Sequence, residues 1–243
     1  MHELLRKRWK NAAQTGLAAL LGYRCAGCAQ RSRALVCGPC VAQLPGAKRL
    51  RCLVCARSLG SGAICGACLH HPPAFDASFT SFDYAAPADE LIKRLKFGQM
   101  VGLADWFAVH MAKQLPNDLD AALIMPVPLA ASRLRARGFN QAWHLARGVA
   151  QCLKQCGRPA PPLDWKIARR IIDTPALAQL GMAARRSQIR GAFSIVAPQK
   201  IKGQSILLVD DVMTTGATMH ELARTLKRAG AARVSCLLAC RTV

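Results

Sequence analysis

Two groups of residues in this 243-residue chain combine type and spacing in a way that can do chemistry. The first is eight cysteines in four C-x-x-C pairs: Cys25/Cys28, Cys37/Cys40, Cys52/Cys55 and Cys65/Cys68. Thiolates three positions apart on a tight turn point to one side, and two such turns complete a tetrahedron. Four pairs within 44 residues therefore indicate two structural Zn2+ sites. Gly27, Gly38 and Gly66 lie between paired cysteines and ease those turns. Pairing first with second and third with fourth closes the shorter loops, whereas a cross-braced arrangement joins first with third and second with fourth. Disulfides instead of zinc would need an oxidising compartment, and nothing in the sequence reads as an export signal. Cys152, Cys156, Cys236 and Cys240 stand apart and read as small core residues.

The second group is the run from Ile206 to Thr218. An apolar strand delivers Asp210 and Asp211 to its carboxyl end. Val212, Met213, Thr214, Thr215 and Gly216 form a short loop, and Ala217 and Thr218 open a helix. Backbone amides, hydroxyls and a helix N-terminus together make a cradle for a terminal phosphate, and Gly216 lets the backbone approach it. Adjacent carboxylates suit a sugar diol and a hydrated Mg2+.

These groups must be positioned by the elements around them. Residues 1–24 read as a short amphipathic helix, 25–70 as a double zinc-knuckle domain, and 71–243 as a larger domain, with His70-His71-Pro72-Pro73 as the link. In the larger domain, Phe79–Tyr84, Ala121–Val127, Phe193–Val196, Ser205–Val209 and Arg233–Cys240 read as strands. Ala88–Phe97, Val101–Leu115, Gln141–Gln155 and Thr218–Ala229 read as helices. Strand–helix alternation with apolar strands gives an α/β fold with a doubly wound, mostly parallel sheet. Ligands of such sheets bind at the carboxyl ends of the strands.

Charge points to an anionic partner. Lys+Arg number 34 against 13 Asp+Glu, a formal net charge of +21. The excess is spread over both halves of the chain, which favours nucleic acid or an anionic substrate. Arg31, Arg33, Lys48, Arg49 and Arg51 are candidate contacts to the backbone of single-stranded DNA. Aromatics at 5% offer few stacking platforms for bases. No apolar run is long enough to span a membrane, and the chain reads as cytoplasmic.

Ile206–Thr218 closely resembles the phosphoribosyl pyrophosphate (PRPP) motif of type I phosphoribosyltransferases. Pro126-Val127-Pro128-Leu129 with Arg133 and Arg137-Gly138-Phe139-Asn140-Gln141, the segment Leu91–Gly98, and the cysteine-rich N-terminus together resemble the ComF/GntX-like family. The resemblance covers nearly the whole chain. It implies PRPP with Mg2+ as ligand, Asp210 and Asp211 on the ribose hydroxyls, and Val212–Thr218 around the 5′-phosphate. It also implies a role with single-stranded DNA in competence (DNA uptake) or DNA processing, beside DNA-import or DNA-processing proteins. If the chain turns PRPP over, Arg133, Arg137 and Gly138 clamp the leaving pyrophosphate. Asp210 and Asp211 then orient the ribose and stabilise its developing positive charge. The chain departs from the family pattern at Leu177, where Gln is usual, and at Gln188, where Asn is usual, although Thr174, Arg185 and Arg186 are kept. The alternatives are an active phosphoribosyltransferase on an unidentified acceptor, and a zinc-knuckle adaptor with a vestigial pocket.

Overall fold

The computed structural model describes residues 22–46, 49–98, 100–173 and 189–243. Residues 1–21 of the expected N-terminal helix, Lys48 and the segment from Thr174 to Gln188 lie outside the described residues, and the last two residues of that expected helix, Tyr23 and Arg24, are in a strand. The chain divides between Leu44 and Pro45 into two compact units.

The first unit holds a small antiparallel pair, β1 (Tyr23–Arg24) and β2 (Arg31–Ser32), and a short helix, α1 (Gly38–Ala42). Helix α1 starts directly after Cys37, with Pro39 in its first turn, where a missing N–H costs nothing.

The second unit begins with the other knuckle, whose helix α2 (Gly66–His70) starts in the same way after Cys65. A four-stranded, wholly parallel sheet follows: β3 (Ala77–Asp83), β4 (Leu123–Pro126), β7 (Ser205–Met213) and β8 (Arg233–Arg241), in the order β3-β8-β7-β4. Between β3 and β4 come α3 (Ala88–Phe97) and α4 (Gly102–Ala112). After β4 come α5 (Ala131–Arg137) and α6 (Gln141–Gln155), and α7 (Ala217–Arg228) joins β7 to β8. Strands β5 (Ala168–Arg170) and β6 (Phe193–Ile195) form a separate antiparallel pair.

The central strands are apolar on both sides because helices cover both faces. Leu123, Met125, Ile206, Leu208, Val234, Cys236 and Leu238 share one core with Leu222 and Leu226 of α7. On the other face α6 packs on β7 and β4, and α4 on β8. The cysteines Cys52, Cys55, Cys65 and Cys68 belong to the α7-side core. The knuckle is also joined to the sheet through its backbone, with the Ser78 amide donating to the Leu53 carbonyl (3.1 Å). Packing thus groups this knuckle with the sheet in one unit.

Three local expectations need correction. Strand β7 does not stop at the carboxylates but continues through Asp210 and Asp211 to Met213, because β8 pairs with it along its whole length. Arg133 and Arg137, expected on a loop following the strand that ends at Pro126-Val127-Pro128, lie on helix α5. Cys236 and Cys240 are buried as expected, but Cys156 is exposed and Cys152 only half-buried, since they sit on the last turn of α6 and just beyond it.

Candidate functional site

The end of β7 and the start of α7 enclose a cleft of about 360 Å3, lined by Tyr84, Asp210 and Val212–Met219. Alternation along the strand separates the two carboxylates. Asp211 is buried, and Asp210 is partly exposed at the cleft. Asp210 Oδ1 accepts from the Asp211 amide at 2.8 Å. Burial and the neighbouring charge of Asp211 push the Asp210 carboxyl up to about 7. Lys96 Nζ lies 3.0 Å from Asp211 Oδ2, an ion pair across the cleft floor with both side chains mostly buried.

The loop supplies the other half of the cleft. Gly216 adopts φ +81, and a Cβ there would add left-handed strain and approach Met213 Sδ at 3.3 Å. Gly216 is also the N-cap of α7 and has no side chain with which to cap it. The helix N-terminus thus opens towards the loop without a capping oxygen from that position, and Thr215 Oγ1 makes only a long 3.4 Å contact with the Ala217 amide. Thr214 is exposed, and Thr215 and Thr218 are half-buried. This is an anion-binding arrangement built on backbone donors.

Basic groups face the carboxylates. Burial holds the Arg137 guanidinium below its ordinary value, and the charges of Asp211 and Asp210 pull the other way, so the group lies within their field. Arg137 donates to Gln141 Oε1 at 3.0 Å, and its guanidinium carbon lies 4.9 Å from the centre of the Phe97 ring. Gly138 ends α5 in the left-handed region at φ +75. Arg170 on β5 is likewise depressed by burial and by Arg133, and Asp210 opposes the shift. Arg133, Arg137 and Arg170 therefore share one electrostatic neighbourhood with Asp210.

Lys96 and Arg170 were given no role by sequence reasoning. Both sit where a signal existed: Lys96 inside Leu91–Gly98 and Arg170 at the end of a strand. A third such residue is Arg241, buried at the end of β8. Its Nε donates to the Cys55 carbonyl (2.9 Å). Its Nη1 donates to the carbonyls of Met213 (2.9 Å), Thr214 and Thr242. One guanidinium thereby ties a cysteine knuckle to the phosphate-type loop.

The cysteines gather in sequential order. The sulfur atoms of Cys25, Cys28, Cys37 and Cys40 lie within 4.8 Å of one another, as do those of Cys52, Cys55, Cys65 and Cys68. Cys28 and Cys37 sulfurs are 3.8 Å apart, and those of Cys55 and Cys65 3.7 Å, far beyond a disulfide bond. Both sets can hold a zinc ion. Backbone amides of Gly27 and Cys37 donate to Cys25 Sγ (3.3 and 3.2 Å), and that of Cys65 to Cys52 Sγ (3.3 Å). Burial opposes ionisation of Cys25, but amides from Cys37, Cys28 and Gly27 prevail and bring its thiol down to about 6. Cys52 reaches about 7 by the same balance. Cys40 is pushed up mainly by its hydrogen bond with Cys37, and Cys55 and Cys68 mainly by burial, so each cluster needs a cation to hold four thiolates together. In each knuckle the residue after the second cysteine, Ala29 or Ala56, takes a positive φ (60° and 55°).

The candidate DNA contacts are dispersed. Arg31 and Arg33 are exposed on the first unit. Arg49 and Arg51 both pair with buried Asp83, at 3.4 and 2.9 Å. Arg51 also donates to the carbonyls of Ala56 (3.2 Å) and Gly46 (2.8 Å). Its guanidinium is therefore committed to the fold, whereas the Arg49 side chain remains mostly exposed.

This combination of a parallel sheet, a carboxylate pair and a glycine-turned loop is of the phosphoribosyltransferase kind. Residues 168–242 match the family described as Phosphoribosyl transferase domain. The chain is 33% identical over 190 residues to DNA utilization protein YhgH of Escherichia coli K12, covering 74% of this chain and 78% of that one. It is 31% identical over 173 residues to competence protein F of Haemophilus influenzae, covering 68% and 73%. It is 26% identical over 210 residues to competence protein ComFC of Bacillus subtilis, covering 81% and 80%. The chain belongs to the ComF-like family, with a type I phosphoribosyltransferase-like fold and two four-cysteine clusters. No helix among the described residues is long and apolar enough to cross a membrane.

Proposed function

We propose that this protein binds PRPP with Mg2+ in the β7–α7 cleft and handles single-stranded DNA in competence or another form of DNA utilisation. The observation that carries the PRPP reading is the cleft itself, where the partly exposed Asp210 stands beside the left-handed Gly216 loop and the α7 N-terminus, which no side chain caps. Free helix N–H groups and a close-approaching glycine suit a terminal phosphate. Asp210 and Asp211 hold the ribose hydroxyls, and residues 212–218 receive the 5′-phosphate through backbone donors and hydroxyls. Mg2+, when bound, supplies charge neutralisation for the pyrophosphate. Arg133, Arg137 and Gly138, with Arg170, form the pyrophosphate side.

Zinc in both four-cysteine clusters makes the N-terminal part rigid. The DNA reading rests on the names of the relatives and on the net charge of +21. Arg31, Arg33, Lys48 and Arg49 are its backbone contacts. Arg51 joins them only by leaving Asp83. The protein works in the cytoplasm, beside DNA-import or DNA-processing proteins. A second reading, phosphoribosyl transfer to an unidentified acceptor, is favoured by the cations facing Asp210. Those groups suit a departing pyrophosphate more than a passive tether.

Thermal shifts with PRPP and Mg2+, ribose 5-phosphate or pyrophosphate test the cleft, and electrophoretic titration of oligo-dT tests the DNA arm. PRPP with Mg2+ should stabilise more than either fragment. Equal shifts with all three, or none, would contradict the assignment. Release of pyrophosphate on adding a DNA or nucleotide acceptor would establish turnover.

A further inference from the structure

A second cavity, of about 390 Å3, lies between the Cys52–Cys68 knuckle and helix α7. It shares Met213, Thr215, Gly216 and Ala217 with the cleft just described but is otherwise lined by different residues. Helix α7 turns Ala217, His220, Glu221 and Arg224 towards it, a spacing that places all four on one face. His71, Pro72 and Pro73, expected to be a mere link, form part of the opposite wall.

The wall is built for an anion. Four guanidiniums line it, those of Arg57, Arg190, Arg224 and Arg241, against one carboxylate, Glu221. Glu221 is already spent. It accepts from Arg224 at 2.6 and 2.9 Å and from the Gly191 amide at 2.8 Å. Arg241 is buried, and among the described residues its hydrogen bonds go to carbonyl oxygens. Arg57 and Arg190 have no carboxylate in ion-pairing reach among the described residues, and Arg57 Nε is buried without an acceptor. A zinc-loaded four-cysteine site returns two negative charges through Cys55 and Cys68, and the guanidiniums still outnumber the anionic charges. Ala67, Pro72, Pro73 and Ile189 add an apolar surface. Cationic donors on one side and an apolar wall on the other match a phosphate attached to a small flat group, and the volume is that of a small-ligand site.

We propose that this cavity is a second phosphate-ester site that takes one nucleotide unit. That unit is either a free nucleoside monophosphate or the end of a single strand. The free-nucleotide arm is independent of the functional reading above, and the strand arm rests on its DNA part.

The test uses the zinc-loaded full chain titrated with inorganic phosphate, thymidine monophosphate and a 3′-labelled octamer of oligo-dT. Arg57→Gln and Arg190→Glu should each weaken the nucleotide probe about tenfold, the loss expected for a charge-assisted contact, and leave PRPP binding in place. Arg190 is exposed, so its variant keeps the test valid if Arg57→Gln fails to fold. Thymidine monophosphate binding as tightly as the octamer identifies a free nucleotide as the source. Octamer binding alone, still weakened by both variants, identifies a strand end. The proposal is overturned if no phosphate probe binds. It is equally overturned if binding is lost in Asp210→Ala/Asp211→Ala but unchanged in Arg190→Glu.

Discussion

Replacing Lys96 by Met removes the cation from a mostly buried pair and leaves Asp211 facing the interior alone. The Lys96 side chain is 19% exposed and that of Asp211 4%, with Nζ 3.0 Å from Oδ2. Breaking a fully buried pair costs roughly 3–5 kcal/mol. The residual access of Lys96 to water lowers this to about 2–4 kcal/mol, or a fall of roughly 5–12 °C in Tm for a chain of this size. The pair also acts on Asp210, whose raised carboxyl is held down in part by Lys96. Without Lys96 the Asp210 carboxyl takes up its proton more readily, so the loss should be larger at pH 8 than at pH 5.5. Urea unfolding of Lys96→Met, Asp211→Asn and the double variant gives a cycle. The double variant should be less destabilised than the sum of the singles by at least about 1.5 kcal/mol. Additivity within about 0.5 kcal/mol, with no pH dependence, would refute the claim that this contact organises the cleft floor.

Asp210 carries a sign that runs opposite to the usual stabilising carboxylate. Its carboxyl sits near 7 in the fold against about 3.9 in the unfolded chain, so the folded state holds the proton more tightly. The stability it contributes is greatest below pH 4 and is lost as pH rises through 7. Asp210→Asn should therefore stabilise the protein by about 2 kcal/mol at pH 8 and hardly at all at pH 4, while PRPP affinity falls. Ala56→Gly should gain about 1 kcal/mol by relieving a left-handed alanine and should raise resistance to chelators, checked by zinc release under a metallochromic dye. Purified protein should hold about two zinc ions, and Cys65→Ser about one, by metal analysis. Replacing Arg31, Arg33 and Arg49 by Ala should flatten the log–log salt slope for oligo-dT by up to about 2. Arg51→Ala should instead lower Tm, because buried Asp83 would keep only the longer pair with the mostly exposed Arg49.

The helices Ala88–Phe97 and Gln141–Gln155 were legible residue for residue because their apolar positions recur at the helical period. The grouping of the cysteines in fours was legible as the shorter loop closure. Strand β7 was read short because two carboxylates look like a stop. Only the neighbouring β8 shows that the ladder continues through them. Helix α5 was invisible for another reason. Ala131–Arg137 buries no residue, so no periodic pattern exists to be read. The role of Lys96 depends on Asp211 and that of Arg241 on carbonyls as far apart as Cys55 and Met213, and no local spacing encodes that. Arg241 still left a trace, since an arginine closing a mostly apolar, buried strand must find buried acceptors. Arg49 and Arg51 show the converse. A basic cluster reads as a set of contacts to a DNA backbone, and its spacing does not reveal the buried acid, Asp83, with which both pair.

Calorimetric titration of PRPP in the presence of Mg2+ tests the central claim most directly, with wild type set against Asp210→Ala/Asp211→Ala and Gly216→Val. Wild type should bind one PRPP per chain, and both variants should lose binding while keeping their zinc and their cooperative unfolding. Equal affinity in all three proteins would contradict the account, because the ligand would then owe nothing to the carboxylate pair or to the left-handed glycine of the loop.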